Sequence, residues 1–353
     1  MNLQDYPNLI PSGLSILDCL KKMDEISQKL LIIADGGVFK GVVSIGDIQR
    51  AIIANTNLQE SSQQILREII TVASDQDSEE EIRELMIRLR TESMPVVAAD
   101  GRLLRIVYWQ ELFEEGALPT SRKLDMPVVI MAGGKGTRLK PLTNVVPKPL
   151  IPLGEKTMLE NIIERFLGFG CDRFFLSLNY KREFVEYYMN SQVDMPISLE
   201  YFTEEKPLGT AGSLHLLQGK LNERFIVSNC DILLDQDFVE VVDYHESNKN
   251  LLTVISVLKS IKIPYGTLEI GDGGLLQSLS EKPELTFMIN SGVYILEPEL
   301  LDMVPKNEFF HITHLMDKLM KENKRVGVFP VSEKSWIDVG EWKQYFEQMK
   351  IKL

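Results

Sequence analysis

The chain has 353 residues, comfortable for two domains and too long for one compact core. It is 44% hydrophobic and 25% charged, as ordinary globular proteins are. Its 51 acidic and 38 basic residues leave a net charge of −13, which excludes a large nucleic-acid footprint and a polybasic membrane anchor. Neither a nucleic acid nor a membrane is therefore an expected partner, although a few well-placed cations could still grip an anionic ligand. The three cysteines, Cys19, Cys171 and Cys230, are too widely spaced for a disulfide framework or a zinc site. Reduced thiols and a cytoplasmic location are expected. No basic segment followed by an apolar stretch opens the sequence, and no apolar run approaches the roughly 18 residues of a membrane span.

The first third of the chain contains an internal echo. Leu30–Ala34 reads as an apolar strand, Asp35-Gly36-Gly37 as a turn, and Gly41–Ser44 as a second strand leading into a helix. Met94–Ala99, Asp100-Gly101 and Ile106–Tyr108 repeat this about 65 residues later. A helical pattern precedes each copy: Ile16, Leu17, Leu20 and Met23, then Ile82, Leu85, Met86 and Leu89. Ser15 and Asp77 are the capping residues expected for these helices. This βαββα repeat resembles the CBS domain pair over residues 1–118, and the resemblance implies a regulatory module. It also implies an adenine nucleotide, or a pathway metabolite, in the cleft between copies, held by a Ser/Thr-x-x-Asp motif. In the first copy Ser44 and Asp47 fit that motif, with the Asp on the ribose hydroxyls. The second copy departs from it, with Tyr108 and Glu111 in the matching places. Asp47 equally suits a helix cap.

Residues 114–123 are polar with Gly and Pro, and residues 119–125 are expected to link the repeat to a second domain, 126–353. From Met126 onward, apolar runs alternate with helical patterns. Val128–Met131, Phe174–Leu178, Ile197–Phe202, Phe225–Ser228 and Leu252–Leu258 read as strands, as do the runs around Leu268 and Val293. Leu159–Leu167, Phe184–Met189 and Ala211–Leu217 read as helices. Such alternation predicts an α/β domain with a mixed, mostly parallel sheet.

Directly after the first of these strands comes Ala132-Gly133-Gly134-Lys135-Gly136-Thr137-Arg138-Leu139-Lys140-Pro141-Leu142-Thr143. Three glycines let the backbone approach a polyanion with its N–H groups, while Lys135 and Arg138 add positive charge. The run is not a Walker A loop, because no Gly-Lys-Ser/Thr ends it. It is not a dinucleotide fingerprint either, because Leu139 stands where the third glycine belongs. Next, Val146-Pro147-Lys148-Pro149-Leu150-Ile151-Pro152 places Lys148 between prolines, which are expected to hold the segment extended.

Together these runs resemble the signature of the sugar-1-phosphate nucleotidylyltransferases over residues 125–353. The resemblance implies a Rossmann-like sheet related to the GT-A type. It also implies the reaction of a nucleoside triphosphate with a sugar 1-phosphate, giving an NDP-sugar and pyrophosphate. Ala132, Gly133, Gly134, Gly136 and Thr137 would wrap the triphosphate. Arg138 and Lys135 would stabilise the leaving pyrophosphate, and Lys148 would steady the phosphates at the reacting centre. Asp231, which closes the strand Phe225–Cys230, and Asp338 of Trp336-Ile337-Asp338-Val339-Gly340 match the family's Mg²⁺ ligands. Cys230 replaces the usual glycine before the first Asp. Gly209, Thr210, Ala211 and Gly212 lie in a loop like the family's base-reading one, where the glycines would let the backbone approach the base and ribose. On the sugar side, Lys282 would hold the phosphate, with Glu281, Asn290 and Gly292 near the hydroxyls and Tyr265-Gly266 along the edge.

The nucleophile is already anionic, so the scarcity of histidines is no objection. Lys148-Pro149-Leu150 differs from the Lys-Gln-Leu type usual in thymidylyltransferases. The sequence is most similar to guanylyltransferases making GDP-mannose, GDP-heptose or GDP-glucosamine. With the repeat ahead of the catalytic domain, it resembles the glucosamine-1-phosphate guanylyltransferases of bacterial legionaminic acid synthesis. GTP and glucosamine 1-phosphate are the substrates this implies, and a homo-oligomer the expected assembly. A non-catalytic nucleotide sensor and a GT-A glycosyltransferase are the rivals. Intact Arg138, Lys148, Asp231 and Asp338 oppose the first, and the absence of an Asp-x-Asp at Asp231-Ile232-Leu233 opposes the second.

Overall fold

A computed structural model of the chain describes residue 3 and residues 6–67, 69–89, 91–112, 122–191 and 193–348. It divides into two compact units, Met1–Ser121 and Arg122–Leu353. Of the expected linker, residues 119–121 lie outside the described residues, as do 113–118 of the expected module. Residues 122–125 belong to the second unit, where the Leu124 N–H donates to Phe169 O at 2.8 Å.

The first unit runs β1 (Leu9–Ile10), α1 (Ile16–Ile26), β2 (Leu30–Asp35), β3 (Val38–Ser44), α2 (Ile45–Ile53), β4 (Ala73–Ser74), α3 (Glu79–Leu89), β5 (Ser93–Val97), β6 (Leu103–Tyr108) and α4 (Trp109–Leu112). Each half makes a three-stranded sheet, β1-β2-β3 or β4-β5-β6, with one parallel and one antiparallel pair. The two Asp-Gly turns bind across: the Phe39 N–H donates to Gly101 O at 3.0 Å and the Leu103 N–H to Gly37 O at 2.8 Å. Buried Asn8 adds a second stitch, donating to Ser93 Oγ and accepting from Tyr108 Oη. Ser15 caps α1 as expected. Ahead of α3 the cap is Ser78, which exchanges hydrogen bonds with Glu81, while Asp77 accepts from the Ser74 N–H.

Asp47 is buried and closes a capping box with Ser44 at the start of α2. Its carboxylate also accepts from Arg67 Nε at 2.8 Å and from Arg50. Burial opposes its charge, but the bonds from Arg67 and Ser44 hold its carboxyl below the ordinary aspartate value. Tyr108, in the position that Ser44 holds in the first half, instead points its hydroxyl at Asn8.

The second unit is built on a seven-stranded sheet. Its elements are β7 (Val128–Met131), β8 (Pro152–Leu153), β9 (Lys156–Thr157), α5 (Met158–Leu167), β10 (Arg173–Leu178), α6 (Arg182–Ser191), β11 (Ser198–Thr203), β12 (Phe225–Asn229), β13 (Ile232–Leu234), α7 (Phe238–Ser247), β14 (Leu252–Lys262), β15 (Thr267–Ile270), β16 (Leu276–Ser280), β17 (Glu284–Leu296), α8 (Ile312–Lys321), β18 (Val326–Ser332), β19 (Trp336–Asp338) and α9 (Trp342–Gln348). The large sheet has the order β11-β10-β7-β12-β17-β14-β18. Only β17 runs against its neighbours, so the sheet is mixed and mostly parallel. Its two faces bury separate apolar layers. Ile162, Phe166 and Phe238 pack on one side, and Leu214, Leu300 and Leu315 on the other. The expected helix over 211–217 is instead a 3₁₀ turn, Gly212–Leu217. Leu214 and Leu217 are both buried, and their i,i+3 spacing serves a 3₁₀ turn as well as an α-helix.

Asp47→Ala removes a buried acceptor from two guanidiniums and a cap. Its lowered pKa means that Asp47 contributes stability above the unfolded value near 3.8, which is lost as the pH falls through the folded one. The variant should lose about 2 kcal/mol at pH 7 in thermal or urea unfolding of the first unit. That difference should shrink as the pH falls below about 4.

Candidate active site

Strands β7, β10, β11 and β12 are mutually parallel, so their carboxyl ends share one edge of the sheet. From β7 the chain passes to β10 and β11 on one side and then to β12 on the other. Ligand sites in open α/β sheets form at such a reversal, outside the carboxyl ends.

The glycine loop leaves β7 there. The Ala132 N–H still bonds Ser177 O of β10 at 3.0 Å. A Cβ on Gly133 would lie 3.2 Å from Asn179 Cβ and 3.4 Å from Glu204 Oε1, whereas Gly134 faces open space. Gly136 has φ +60°, and a Cβ there would sit 2.8 Å from Thr143 Cγ2 and 3.1 Å from Lys148 Cβ. Glycine at 136 therefore lets Lys148 come up behind the loop. Thr143 fixes the turn by donating from Oγ1 to Gly136 O at 2.9 Å. Lys135, Thr137 and Arg138 are exposed. Arg138 pairs with Glu341 at 3.1 Å.

The Pro-Lys-Pro segment is not extended throughout. Pro147 is, but Lys148–Leu150 forms a 3₁₀ turn. The turn carries Lys148 into the interior, where its ammonium donates to Asp231 Oδ2, both residues being buried. Burial works against charge on Lys148, yet the adjacent Asp231 carboxylate, by its charge and its hydrogen bond, leaves the lysine pKa above the ordinary value. Cys230 itself is a buried thiol pushed up to about 12 by desolvation.

A small ribbon brings in the second carboxylate. β13 pairs antiparallel with β19, placing Ile232 opposite Asp338, and the Val339 N–H donates to Asp231 O at 3.0 Å. A Cβ on Gly340 would lie 2.8 Å from Asp338 Oδ1, 3.0 Å from Asp231 Oδ2 and 3.2 Å from Arg138 Nη2. The two carboxylates and a guanidinium thus converge where Gly340 has no side chain. Burial, and then the charge on Asp231, push the Asp338 carboxyl above the ordinary aspartate value. Among the described residues, no group of three or more His, Cys, Asp or Glu forms a closed metal cage. Two hard oxygen donors pressed together do fit a magnesium ion whose other ligands are water and phosphate.

The 209–212 loop has a different rationale from the expected one. A Cβ on Gly209 (φ +82°) would lie 2.7 Å from Phe310 O, and one on Gly212 2.7 Å from Glu308 O. These glycines admit the protein's own backbone. The Ala211 and Gly212 N–H groups both donate to Phe310 O, and the Thr210 N–H bonds His311 Nδ1 at 3.3 Å. What reaches the glycine loop is buried Glu204, which accepts from Ser177 Oγ at 3.0 Å and the Leu208 N–H at 2.9 Å.

On the other side of the site, β17 continues beyond the sheet with β14 and carries the β15–β16 hairpin. Between Val254 and Ser256 the pairing slips, because Ser291–Val293 bulge opposite Ile255. Bulges re-aim side chains beside active sites. Here Gly292 (φ +89°) lies under Asn229, whose Nδ2 would be 2.5 Å from an added Cβ, and the Gly292 N–H donates to Asn290 Oδ1 at 2.9 Å. Glu281 and Lys282 are exposed in the turn entering β17, Tyr265 is exposed, and a Cβ on Gly266 would lie 2.9 Å from Glu281 Oε2.

Local spacing carries no sign of Glu341 on Arg138, or of Trp342 Nε1 donating to Lys140 O at 2.9 Å, contacts that span 203 and 202 residues. Nor does spacing point to Asn179 and Glu204, which follow β10 and β11 and meet the glycine loop at Gly133.

The family model for nucleotidyl transferases matches residues 127–353. The chain belongs to that family. The chain is 33% identical over 229 residues to a protein of Kluyveromyces lactis named mannose-1-phosphate guanyltransferase, covering 62% of this chain and 63% of that one. A Synechocystis relative named UTP–glucose-1-phosphate uridylyltransferase is 28% identical over 245 residues, covering 64% and 63%. The chain thus spans about 63% of the length of these curated relatives. The structure of HddC from Yersinia pseudotuberculosis complexed with GMP-PN superposes with a TM-score of 0.50 at 28% identity, covering 64% of this chain and 100% of that one. Among the described residues, no helix is long and apolar enough to cross a membrane.

Gly292→Ala should lower stability by about 2 kcal/mol in thermal unfolding, because positive φ and Asn229 both oppose a Cβ. Gly134→Ala, with open space around it, should melt as the wild type does.

Proposed function

We propose that the second unit is a sugar-1-phosphate nucleotidylyltransferase that uses GTP. The observation that carries this reading is the convergence of Lys148, Asp231, Asp338 and Arg138 at the carboxyl edge, beside a glycine loop. In the proposed reaction an oxygen of the sugar phosphate attacks the α-phosphorus of the triphosphate. The bond from that phosphorus to the oxygen bridging to the β-phosphate breaks, and pyrophosphate leaves with the electron pair. No base is needed for an anionic nucleophile, so catalysis is positioning and charge neutralisation.

The loop Ala132–Thr137 cradles the triphosphate, with Lys135 and Arg138 on the departing phosphates. Arg138 makes an exposed pair with Glu341, which is worth about 0–1 kcal/mol and yields readily to a polyanion. Lys148 supplies a fixed cation to the reacting phosphates. Asp231 and Asp338 would hold Mg²⁺, which supplies charge neutralisation there when bound. Glu281, Lys282, Asn290 and the Tyr265-Gly266 edge face the sugar phosphate. Gly209–Gly212 shape the base side through the backbone contacts that fix them.

Support for guanine comes from the Kluyveromyces lactis relative, named a guanyltransferase, and from HddC, solved with GMP-PN, whereas the Synechocystis relative is named for UTP. Two sugars follow from different observations. The repeated βαββα unit ahead of the catalytic unit favours glucosamine 1-phosphate, as in legionaminic acid synthesis, and the Kluyveromyces lactis relative favours mannose 1-phosphate. In the first unit we infer a CBS pair with one adenine-nucleotide or metabolite site, at Ser44 and Asp47. A ribose there has to displace Arg67 from Asp47.

The test is a pooled incubation of protein, Mg²⁺, the common nucleoside triphosphates and the 1-phosphates of glucosamine, mannose and heptose, read by mass spectrometry. One GDP-sugar is expected, and its mass separates hexosamine, hexose and heptose. Absence of any NDP-sugar would overturn the reading. Lys148→Ala and Asp231→Asn should each cut the rate by about 10²–10³.

A further inference from the structure

Three consecutive residues after β10 reach three separate segments. Asn179 Nδ2 donates to Glu204 O at 2.8 Å, and the Tyr180 N–H donates to Gly133 O at 3.4 Å. Lys181 Nζ donates to Asn144 O at 2.6 Å and to Val145 O at 2.8 Å. Those carbonyls end the 3₁₀ turn Leu142–Asn144, where backbone acceptors lack partners within the turn. An ammonium carries three donors and can serve both carbonyls at once. The rings of Tyr180 and Phe184 flank it, with centroids 5.4 and 5.8 Å from Nζ.

We propose that Lys181 is a positioning residue for Lys148: its ammonium fixes the turn over 142–146, and the turn fixes where Lys148 enters the site. The part played by Lys148 rests on the proposed function, and the hold on the turn does not. The chain path makes the link. The Val145 and Val146 N–H groups both donate to Leu142 O at 3.0 Å, so the carbonyls held by Lys181 belong to one closed turn. Within that turn Thr143 Oγ1 donates to Gly136 O, and Lys148 follows two residues after its end. A shift of the turn therefore moves the lysine stem against the glycine loop, where a Cβ on Gly136 would lie 3.1 Å from Lys148 Cβ.

Two observations favour positioning over bulk stability. Val145 is 72% exposed, so the turn lies at the surface, where water can satisfy a carbonyl that loses the lysine. Lys181 itself stands at φ +54°, where glycine or asparagine is the cheaper residue. A lysine held in that conformation points to a use for its side chain.

The experiment compares, in the full chain, Lys181→Met, which removes the ammonium and keeps the stem, with Lys181→Arg, which keeps a charged pair of donors. Lys181→Met should lower kcat by about tenfold or more, with KM for the sugar 1-phosphate and the melting temperature unchanged. Lys181→Arg should recover most of that loss. In a Lys148→Ala background, Lys181→Met should change kcat by less than about twofold, because its effect passes through Lys148. Hydrogen exchange gives a readout without catalysis. In Lys181→Met the Asn144, Val145 and Val146 amides should exchange faster, as should those of Leu150 and Ile151, which bond back to Pro147 O and Lys148 O. The amides of β10 should exchange as in the wild type. Wild-type kcat in Lys181→Met, an equal loss in the Lys148→Ala background, or unchanged exchange at 150–151 would overturn the link to Lys148. Unchanged exchange at 144–146 would overturn the hold. So would a Lys181→Met chain that fails to fold, because the lysine would then support the whole unit and not one turn. If the wild type makes no NDP-sugar, the proposed function fails, and hydrogen exchange still decides the hold and the link.

Discussion

The ion pair between Lys148 and Asp231 joins positions 83 residues apart, and both partners are buried. Taking two charges out of water costs several kcal/mol for each ion, and the attraction regained inside rarely exceeds that cost by much. The pair is therefore a poor source of stability, and the surrounding chain is shaped to make it possible. Pro147 and the turn after it aim the lysine inward. Gly136 gives up a side chain so that the lysine stem can pass. β12 ends where Asp231 is needed, and the β13–β19 ribbon sets Asp338 beside it. The result is an ammonium and two carboxylates held at a sheet edge, where, on the proposed reading, an incoming polyanion and a divalent cation would satisfy charges that the free protein balances only in part.

The reversed strand β17 divides the labour. Its carboxyl half lies in the sheet between β12 and β14 and helps build the rigid floor. Its amino half leaves the sheet with β14 as a two-stranded arm carrying Glu281 and Lys282. The bulge at Ser291–Val293 is the joint between these roles, and Gly292 is the residue that lets it tuck under Asn229. On the proposed reading the triphosphate side would stand on a packed seven-stranded sheet and the sugar side on an exposed arm.

Local patterns were readable in the sequence. The strand–glycine loop–helix order around β7 and α5 and the parallel alternation declare themselves through short-range spacing, whereas Asp231 and Asp338 stand out only through the family resemblance. What stayed hidden depends on long-range packing. Gly209 and Gly212 look like ligand-facing glycines, because spacing cannot tell a nearby ligand from the nearby backbone of 308–310. Asp77 and Ser78 are both good caps, and only the box with Glu81 decides between them. The run around Leu268 reads as a strand, yet nothing local reveals that its partner is β16 alone or that its apolar face is bare. Glu341 and Trp342 meet the glycine-loop region from the far end of the chain, and no window of residues contains both partners.

On the proposed reading, Asp231 and Asp338 jointly hold a divalent cation against a nucleotide on the glycine loop. Crystals grown with Mn²⁺ and a non-hydrolysable GTP analogue test it directly through anomalous scattering. One strong manganese peak is expected within coordination distance of both carboxylates and of a phosphate oxygen, with Lys148 turned from Asp231 toward the phosphates. A nucleotide on the loop with no manganese between the two carboxylates, or with the metal bound elsewhere, would contradict it.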